Sequence, residues 1–196
     1  MVVIVQPGVM SPGDAKYPAW TSNQLIGTIA GGDKTIAQSG VSSGRLNYAP
    51  FMVSESTTID GLAFCNGSSI NGAKCVMGLY ASVGRDVSGG ALIVQTSEFT
   101  GGDTDVDTTR ELTVADTTLD PYTLYYCGHF CNGMNVHSIT DSSKLQLQLT
   151  VGFTYTSYYQ MGLGRLDLTY TATLPSTFTP SYNGISDIPV MALRVK

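Results

Sequence analysis

Residues 145–155 read Leu-Gln-Leu-Gln-Leu-Thr-Val-Gly-Phe-Thr-Tyr, with an apolar or aromatic side chain at every odd position. Successive side chains of a β-strand point to opposite faces, so this period predicts an amphipathic strand with one face on a core and the other in water. Residues 166–174 repeat the alternation, with leucine, tyrosine or alanine at the even positions. Two such strands in succession indicate an antiparallel sheet, because strands of a parallel sheet are covered on both faces.

Strand patterns recur along most of the chain. They fall in residues 46–53, 58–65, 74–81, 91–97, 111–114, 122–130 and 188–195. Residue pairs such as Asn66-Gly67, Asn71-Gly72 and Gly101-Gly102 lie between them. These pairs predict turns, because glycine adopts the positive φ that several turn types require. No stretch shows a convincing 3.6-residue apolar period, so the sequence predicts an all-β protein. Strands with this spacing match an antiparallel two-sheet sandwich that is jelly-roll-like.

The alternation also predicts the core of this sandwich. The inward side chains of the two longest strand patterns are Leu147, Leu149, Val151, Phe153, Leu166, Leu168 and Tyr170. A chain of 196 residues is long enough to bury one such core as a single domain without stabilising disulfides or metal ions.

Residues 1–43 have a different character. They contain three prolines, six glycines and one short apolar stretch at 25–30. This composition predicts an extended N-terminal arm over residues 1–43 with at most one strand, followed by a β-sandwich domain over residues 44–196. An arm of this kind orders when it docks, and its apolar side chains are the expected assembly contacts. These are Val3, Val5, Val9, Trp20 and Leu25.

The composition limits the classes of binding partner and the cellular compartment of the protein. The net charge is −5 and charged residues make up only 13% of the chain, so there is no basic stripe to neutralise phosphates and nucleic-acid binding is disfavoured. No apolar run approaches the 18 residues of a membrane span, and the run at 2–5 has no basic leader. We expect a soluble protein made in the cytosol, with no membrane insertion and no cofactor.

Residues 40–44 read Gly-Val-Ser-Ser-Gly, which matches the G-x-S-x-G pattern of serine hydrolases. The serine of that motif needs a tight strand-to-helix turn, whereas a strand pattern follows here. In a chain rich in glycine and serine the match is expected by chance. Ser42 is therefore interpreted as a loop residue, no catalytic residue is predicted, and the protein is predicted not to be an enzyme.

Cys127, His129 and Cys131 resemble metal ligands, and on a strand all three share one face. The two cysteine Cα atoms would then lie about 13 Å apart, too far for one tetrahedral zinc unless the chain turns there. Core or surface residues on a strand end are the favoured interpretation. The spacing of Cys65 and Cys75 permits a disulfide, but cytosolic synthesis favours reduced, half-buried thiols.

Asp103, Asp105 and Asp107 alternate in a segment that begins like a calcium loop. An EF-hand needs glycine at its sixth position and glutamate at its twelfth, and this chain has Thr108 and Val114 there. The EF-hand interpretation fails. A solvated hairpin tip is favoured, with a calcium site of another kind as the weaker alternative.

Three tyrosines are candidate contact residues. Tyr125 is predicted to point away from the face used by Leu124 and Tyr126, while Tyr158 and Tyr159 fall in the turn between the two longest strands. Exposed tyrosines can stack on a sugar and bond to it, and tyrosine is also enriched at subunit contacts. Subunit contact is the favoured interpretation, and glycan contact is the alternative.

Six further segments carry a recognisable pattern. They are Arg-Leu-Asn-Tyr-Ala-Pro-Phe-Met-Val at 45–53, Thr-Thr-Ile-Asp-Gly-Leu at 57–62, Met-Gly-Leu-Tyr-Ala at 77–81, Gly-Gly-Ala-Leu at 89–92, Leu-Pro-Ser-Thr-Phe at 174–178 and Pro-Val-Met-Ala-Leu-Arg-Val at 189–195. Together these segments resemble a β-sandwich module of virion proteins from tailed bacteriophages. The resemblance covers residues 45–196. Its motifs are packing patterns, so it implies a fold and a virion context and assigns no active residue.

The resemblance implies a structural protein of the virion, assembled in the host cytoplasm. Modules of that family occur in fibres, tail parts and capsid-surface proteins, usually as symmetric trimers or larger assemblies, so a homotrimer that binds other virion proteins is expected. No long repetitive shaft is visible, which favours a capsid decoration or cement subunit, with a short fibre next. The alternative is a glycan-binding tail fibre or lectin-like module that recognises a host-surface glycan.

Overall fold

The computed structural model describes residues 23, 25–27, 36–37, 44–82, 90–102, 108–140, 164–178 and 187–196. Within these residues there are thirteen strands and no helix, and every strand pair is antiparallel. The predicted all-β antiparallel class is therefore confirmed. The strands are β1 Leu25–Gly27, β2 Ile36–Ala37, β3 Arg45–Phe51, β4 Thr57–Ser82, β5 Gly90–Gln95, β6 Phe99–Thr100, β7 Thr108–Leu119, β8 Tyr125–Val136, β9 Ser138–Thr140, β10 Gly164–Asp167, β11 Thr177–Phe178, β12 Asp187–Pro189 and β13 Met191–Val195.

The 26-residue strand β4 organises the larger, ten-stranded sheet. Its first half pairs with β7 along one side and with β13 along the other. Its second half pairs with β8 along one side and with β5 and β6 along the other. β3 then pairs with β8, and β10 pairs with β3. A smaller sheet has the order β12-β9-β2.

β4 curls back on itself. Fully straight, a strand of this length would span about 85 Å. Yet Thr57 at its start pairs with Leu119, and the Ser82 N–H at its end donates to the Leu124 carbonyl, 3.0 Å away. The five residue steps between those two partners can span at most about 18 Å. The bend lies where the β4–β8 register breaks between Ser69 and Lys74.

Several sequence predictions need correction here. Turns were predicted at Asn66-Gly67 and Asn71-Gly72, but β4 is strand through both. Pairing with β7 and with β8 holds Asn66 in the strand, whereas Gly72, with a φ of 81°, lies at the bend where the pairing with β8 is interrupted. The pattern at 166–174 becomes strand only as far as Asp167, although its alternation of half-buried and exposed side chains continues to Thr171. The two-sheet sandwich is not confirmed: the described strands form one curled sheet and a small second sheet. The strand predicted at 145–155 lies outside the described residues.

Two core clusters lie on opposite faces of β8 and of the second half of β4. The first cluster is shared by both halves of β4, which contribute Ile59, Leu62 and Phe64 from one and Met77 and Leu79 from the other. The second cluster consists of Leu46, Tyr48, Val76, Tyr80, Tyr126, Phe130 and Leu174. Leu166, Leu168 and Tyr170 pack against the second cluster, in agreement with the prediction that their side chains point inward. The other predicted core residues, Leu147, Leu149, Val151 and Phe153, lie outside the described residues.

Two short strands fall within the predicted arm, one more than expected. β1 pairs with β13 at the edge of the large sheet, and β2 pairs with β9 in the small sheet. The Asn23 N–H, just before β1, donates to the Val195 carbonyl at 2.8 Å. Residues 25–27 and 36–37 therefore belong to the sheets of the body, because their backbone groups are paired there.

Candidate functional site

Most of the predicted contact and ligand residues lie outside the described part of the chain. These are Val3, Val5, Val9, Trp20, Ser42, Asp103, Asp105, Asp107, Tyr158 and Tyr159, and their roles stay predictions. Leu25 begins β1, where it is in register with Arg194 of the same chain. Its backbone thus pairs within the chain, and an assembly role for its side chain stays a prediction.

Tyr125 does not lie on the surface. It is only 4% exposed and belongs to the first core cluster, and its hydroxyl accepts a hydrogen bond from the Asp120 N–H at 2.8 Å. The prediction that it points away from Tyr126 holds, since Tyr126 packs in the second cluster. Its interpretation as an exposed glycan or subunit contact is wrong, because both faces of the sheet are covered at β8.

Cys127, His129 and Cys131 lie on the inward face of β8, as the strand period predicts, and all three are completely buried. Cys75 of β4 is in register with Cys131, and Met77 is in register with His129. Among the described residues no three histidine, cysteine or acidic side chains are grouped so that they could hold a metal ion. We interpret the group as an interior of thiol, thioether and imidazole side chains.

His129 is the most unusual member of this interior. Neither of its ring nitrogens has a hydrogen-bond partner within the described residues, and its ring packs on Phe64 with 5.1 Å between centroids. A buried polar group without a partner costs free energy, and a charged one costs more. Burial therefore lowers the pKa of His129 to about 3, so the imidazole is neutral at physiological pH.

The four cysteines are all thiols in this structure. Cys65 and Cys75 stand on opposite sides of the bend in β4 and form no disulfide. The expectation of half-buried thiols fits Cys65 alone, since the other three are completely buried. Burial raises the pKa of Cys127 and of Cys131 to about 12. The pKa of Cys75 is raised well above its usual value, first by burial and then by the neighbouring Cys131 and Cys127.

These differences predict selective thiol chemistry. In the folded protein a chromogenic disulfide reagent should modify Cys65 rapidly, whereas the three buried thiols should react only as fast as the protein opens, because the thiolate is the nucleophile. The measurement is the number of thiols modified before and after adding denaturant. Cys65→Ser should abolish the fast phase. A fast phase of three or four thiols would contradict the described packing of β4 on β8.

The connection between β7 and β8, residues 120–124, forms an exposed tip. Tyr122 lies here and is 75% exposed, and the only other exposed large hydrophobic residue within the described chain is Ile93 at 44%. Ile93 is accounted for by the register shift between β4 and β5, which leaves it as an extra residue in β5. Tyr122 has no comparable explanation from strand pairing.

The backbone of Tyr122 is strained and yet firmly held. Its φ of 56° lies in the left-handed region, which costs a side-chain-bearing residue about 1 kcal/mol or more. The Tyr122 N–H donates to the Val53 carbonyl at 2.8 Å. Hydrogen bonds from Asp120 to the Tyr125 hydroxyl and from Ser82 to Leu124 fix the two sides of the tip. The ring is thus presented to solvent from a defined backbone.

Tyr122 was not predicted as a functional residue, because its sequence pattern predicts a strand over residues 122–130 that begins there. The structure starts that strand at Tyr125. The signal that could have located the turn is Asp120-Pro121, since an aspartate before a proline favours turn initiation. Proline also pre-sets the first central position of a β-turn.

An ion-pair network lies on the outer side of the first half of β4. Arg194 of β13 donates to Asp60 at 2.7 Å and to Glu111 of β7 at 3.3 Å, and a Cβ at Gly61 would lie 2.9 Å from its guanidinium carbon. Lys196 pairs with Asp116 nearby. These pairs connect three neighbouring strands. The Lys196–Asp116 pair is exposed, and exposed pairs usually contribute little free energy, whereas the Arg194–Asp60 pair is partly buried. We interpret the network as structural.

Comparisons with known proteins identify no relative. A scan of protein-family models found no matching family, and searches of curated proteins and of solved structures found no match. Within the described residues there is no helix long and apolar enough to cross a membrane.

Proposed function

We propose that this protein is a non-enzymatic structural protein of a bacteriophage virion. In this proposal it binds other virion proteins on the particle surface as a capsid decoration or cement subunit, or as a short fibre, and it assembles in the host cytoplasm, with a homotrimer favoured. The resemblance of residues 45–196 to virion modules supplies the biological context. The pairing of β1 and the burial of the reactive side chains support the proposal.

The observation that carries the proposal is strand addition at the edge of the large sheet. β1, which comes from the predicted arm, pairs with β13 over three residues, and Asn23 continues the contact to Val195. The segment before Asn23 thus starts from a fixed point on the body. With its apolar residues at 3, 5, 9 and 20, it is suited to dock on a neighbouring subunit.

Burial of the reactive side chains supports a non-enzymatic role. His129 and three cysteines are the nucleophilic or basic groups that first suggest chemistry, and all four are closed off from solvent. Burial lowers the pKa of the imidazole and raises the pKa of each of these thiols, so His129 stays neutral and the cysteines stay protonated. A substrate could reach them only if the core opened.

The jelly-roll-like sandwich remains part of this proposal. Side chains from both halves of β4 share one core, which is the arrangement that two facing sheets would require. The predicted strand at 145–155 would add a further amphipathic strand to this architecture.

Deletion of residues 1–22 tests the proposal. The shortened protein should keep its far-UV spectrum and melting temperature, because Asn23 and β1 remain, but it should lose binding to particles that lack this subunit. Cosedimentation with such particles, followed by reconstruction, gives both the occupancy and the location. Trp20→Ala should lower the occupancy, whereas the matched change Ser22→Ala should not.

Two outcomes would count against this account. Equal occupancy of the full-length and shortened proteins would move the attachment surface to the body. Failure of the full-length protein to bind any capsid or tail part would overturn the virion role itself.

A further inference from the structure

We propose that the β7–β8 tip is a glycan-binding site in which Tyr122 is the stacking residue. Tyr122 has the most exposed large hydrophobic side chain within the described chain, and its backbone occupies a left-handed conformation. This inference concerns the isolated protein and does not depend on the proposed virion role.

The conformation of Tyr122 distinguishes it from an ordinary exposed tyrosine. Single exposed hydrophobic residues are common on protein surfaces and need no explanation. However, the turn position after Pro121 with positive φ is one that glycine or asparagine occupies without strain. An aromatic residue there costs stability and adds no buried packing, because its side chain is in solvent. Local strain of this kind often accompanies a binding function.

The anchoring of the tip provides the second observation. The Tyr122 N–H bonds to Val53, the Asp120 N–H bonds to the buried Tyr125 hydroxyl, and Leu124 accepts from Ser82. Each anchor lies on a different part of the body, so the backbone under the ring is held from both sides. A pre-positioned aromatic residue binds with a smaller loss of conformational entropy than a mobile one.

The surroundings of the ring favour a sugar over a protein partner. The hydrogen bond from Tyr122 to Val53 brings residues 54–56 beside the tip, and these read Ser-Glu-Ser. Asp120, Glu55 and Ser56 are exposed. A protein contact of useful affinity needs an apolar core several residues wide, whereas a single exposed ring on a tip with exposed polar residues matches the apolar face and hydroxyl groups of a pyranose.

Charge limits the class of glycan. Residues 53–56 and 120–124 contain Glu55 and Asp120 and neither lysine nor arginine. The exposed Asp120 carboxylate can accept hydrogen bonds from sugar hydroxyls but repels sialic acids, uronic acids and phosphorylated sugars. The geometry therefore points to neutral hexose-containing glycans.

A glycan array with the purified full-length protein tests this site, followed by titration of a bound glycan by NMR. Tyr122→Gly should weaken binding by about tenfold or more while leaving the melting temperature equal or higher, because glycine removes the strain at this φ. Tyr122→Phe, which keeps the ring, should retain most of the affinity. Ile93→Ala is the matched control, since it truncates the other exposed hydrophobic residue and should leave binding unchanged.

Several results would overturn the proposal. One is the absence of any neutral glycan bound by the wild-type protein. Equal affinity of the Tyr122→Gly protein would exclude the tip, and a preference for sialylated glycans would contradict the charge argument. A purified virion protein that binds through Tyr122, with no glycan bound, would make the tip a protein contact instead.

Discussion

Lowering the pH from 7 to 4 should cost the folded protein about 3 kcal/mol of stability through His129 alone. The pKa of this buried imidazole is lowered to about 3, whereas in the unfolded chain it is near its ordinary value of 6.5. Below pH 6.5 His129 is therefore protonated in the unfolded state, whereas it stays neutral in the folded state until the pH approaches 3. The stability contributed by neutral His129 is complete above pH 6.5 and is lost progressively down to pH 3.

The measurement is the free energy of unfolding by urea at a series of pH values. His129→Leu replaces the ring by an apolar side chain of similar volume, so it should remove most of this slope and leave stability at pH 7 equal or higher. His137→Gln removes the other histidine and retains His129, so the part of the slope that comes from His129 should remain. Acid effects from carboxylates such as Glu98, whose pKa is lowered chiefly by its hydrogen bond with Lys74, occur in all three proteins and cancel.

An unchanged slope in His129→Leu would show that the imidazole is solvated or hydrogen-bonded in solution. The described packing of β8 against Phe64 would then be wrong.

Gly78→Ala should destabilise the protein by about 1–3 kcal/mol, and Leu174→Ala by about 2–5 kcal/mol. Both residues are buried on the second cluster. A Cβ at Gly78 would overlap the Leu174 Cδ1 atom and come within 3.0 Å of Leu92. Leu174 cannot move away easily, because its N–H donates to the Gln95 side chain at 3.0 Å.

The two changes should not be additive. Truncation of Leu174 opens space for the new methyl group. The double variant should therefore lose about 1 kcal/mol less unfolding free energy than the sum of the losses in the two single variants. Urea unfolding of the four proteins gives this coupling. Gly72→Ala is the matched glycine control: its φ of 81° makes it costly, but nothing lies within 4 Å of the added Cβ. Its effect should simply add to that of Leu174→Ala.

Strict additivity of Gly78→Ala and Leu174→Ala would show that residues 172–176 do not lie over β4. A different segment of the chain would then have to pack over Leu46, Tyr48 and the rest of the second cluster.

The candidate site was only partly predictable from the sequence. The alternation along β8 correctly placed Cys127, His129 and Cys131 on one face and Tyr125 opposite Tyr126. It could not show that both faces are covered, because residues 166–174, some 40 positions later, lie over one of them. Tyr122 was missed because a turn and a strand end are hard to separate locally.

The sequence by itself determined the all-β antiparallel class, the facing of side chains along β8 and residues 166–170, and the position of β3, because these follow from a two-residue period that neighbouring residues set. Only the tertiary structure decided the continuity and curl of β4, the register of Cys75 with Cys131 and the burial of Tyr125 and His129. Each of these depends on contacts between residues far apart in the chain, such as Arg194 with Asp60 across 134 positions. Local periodicity shows which face a side chain takes, and pairing and packing decide what covers that face.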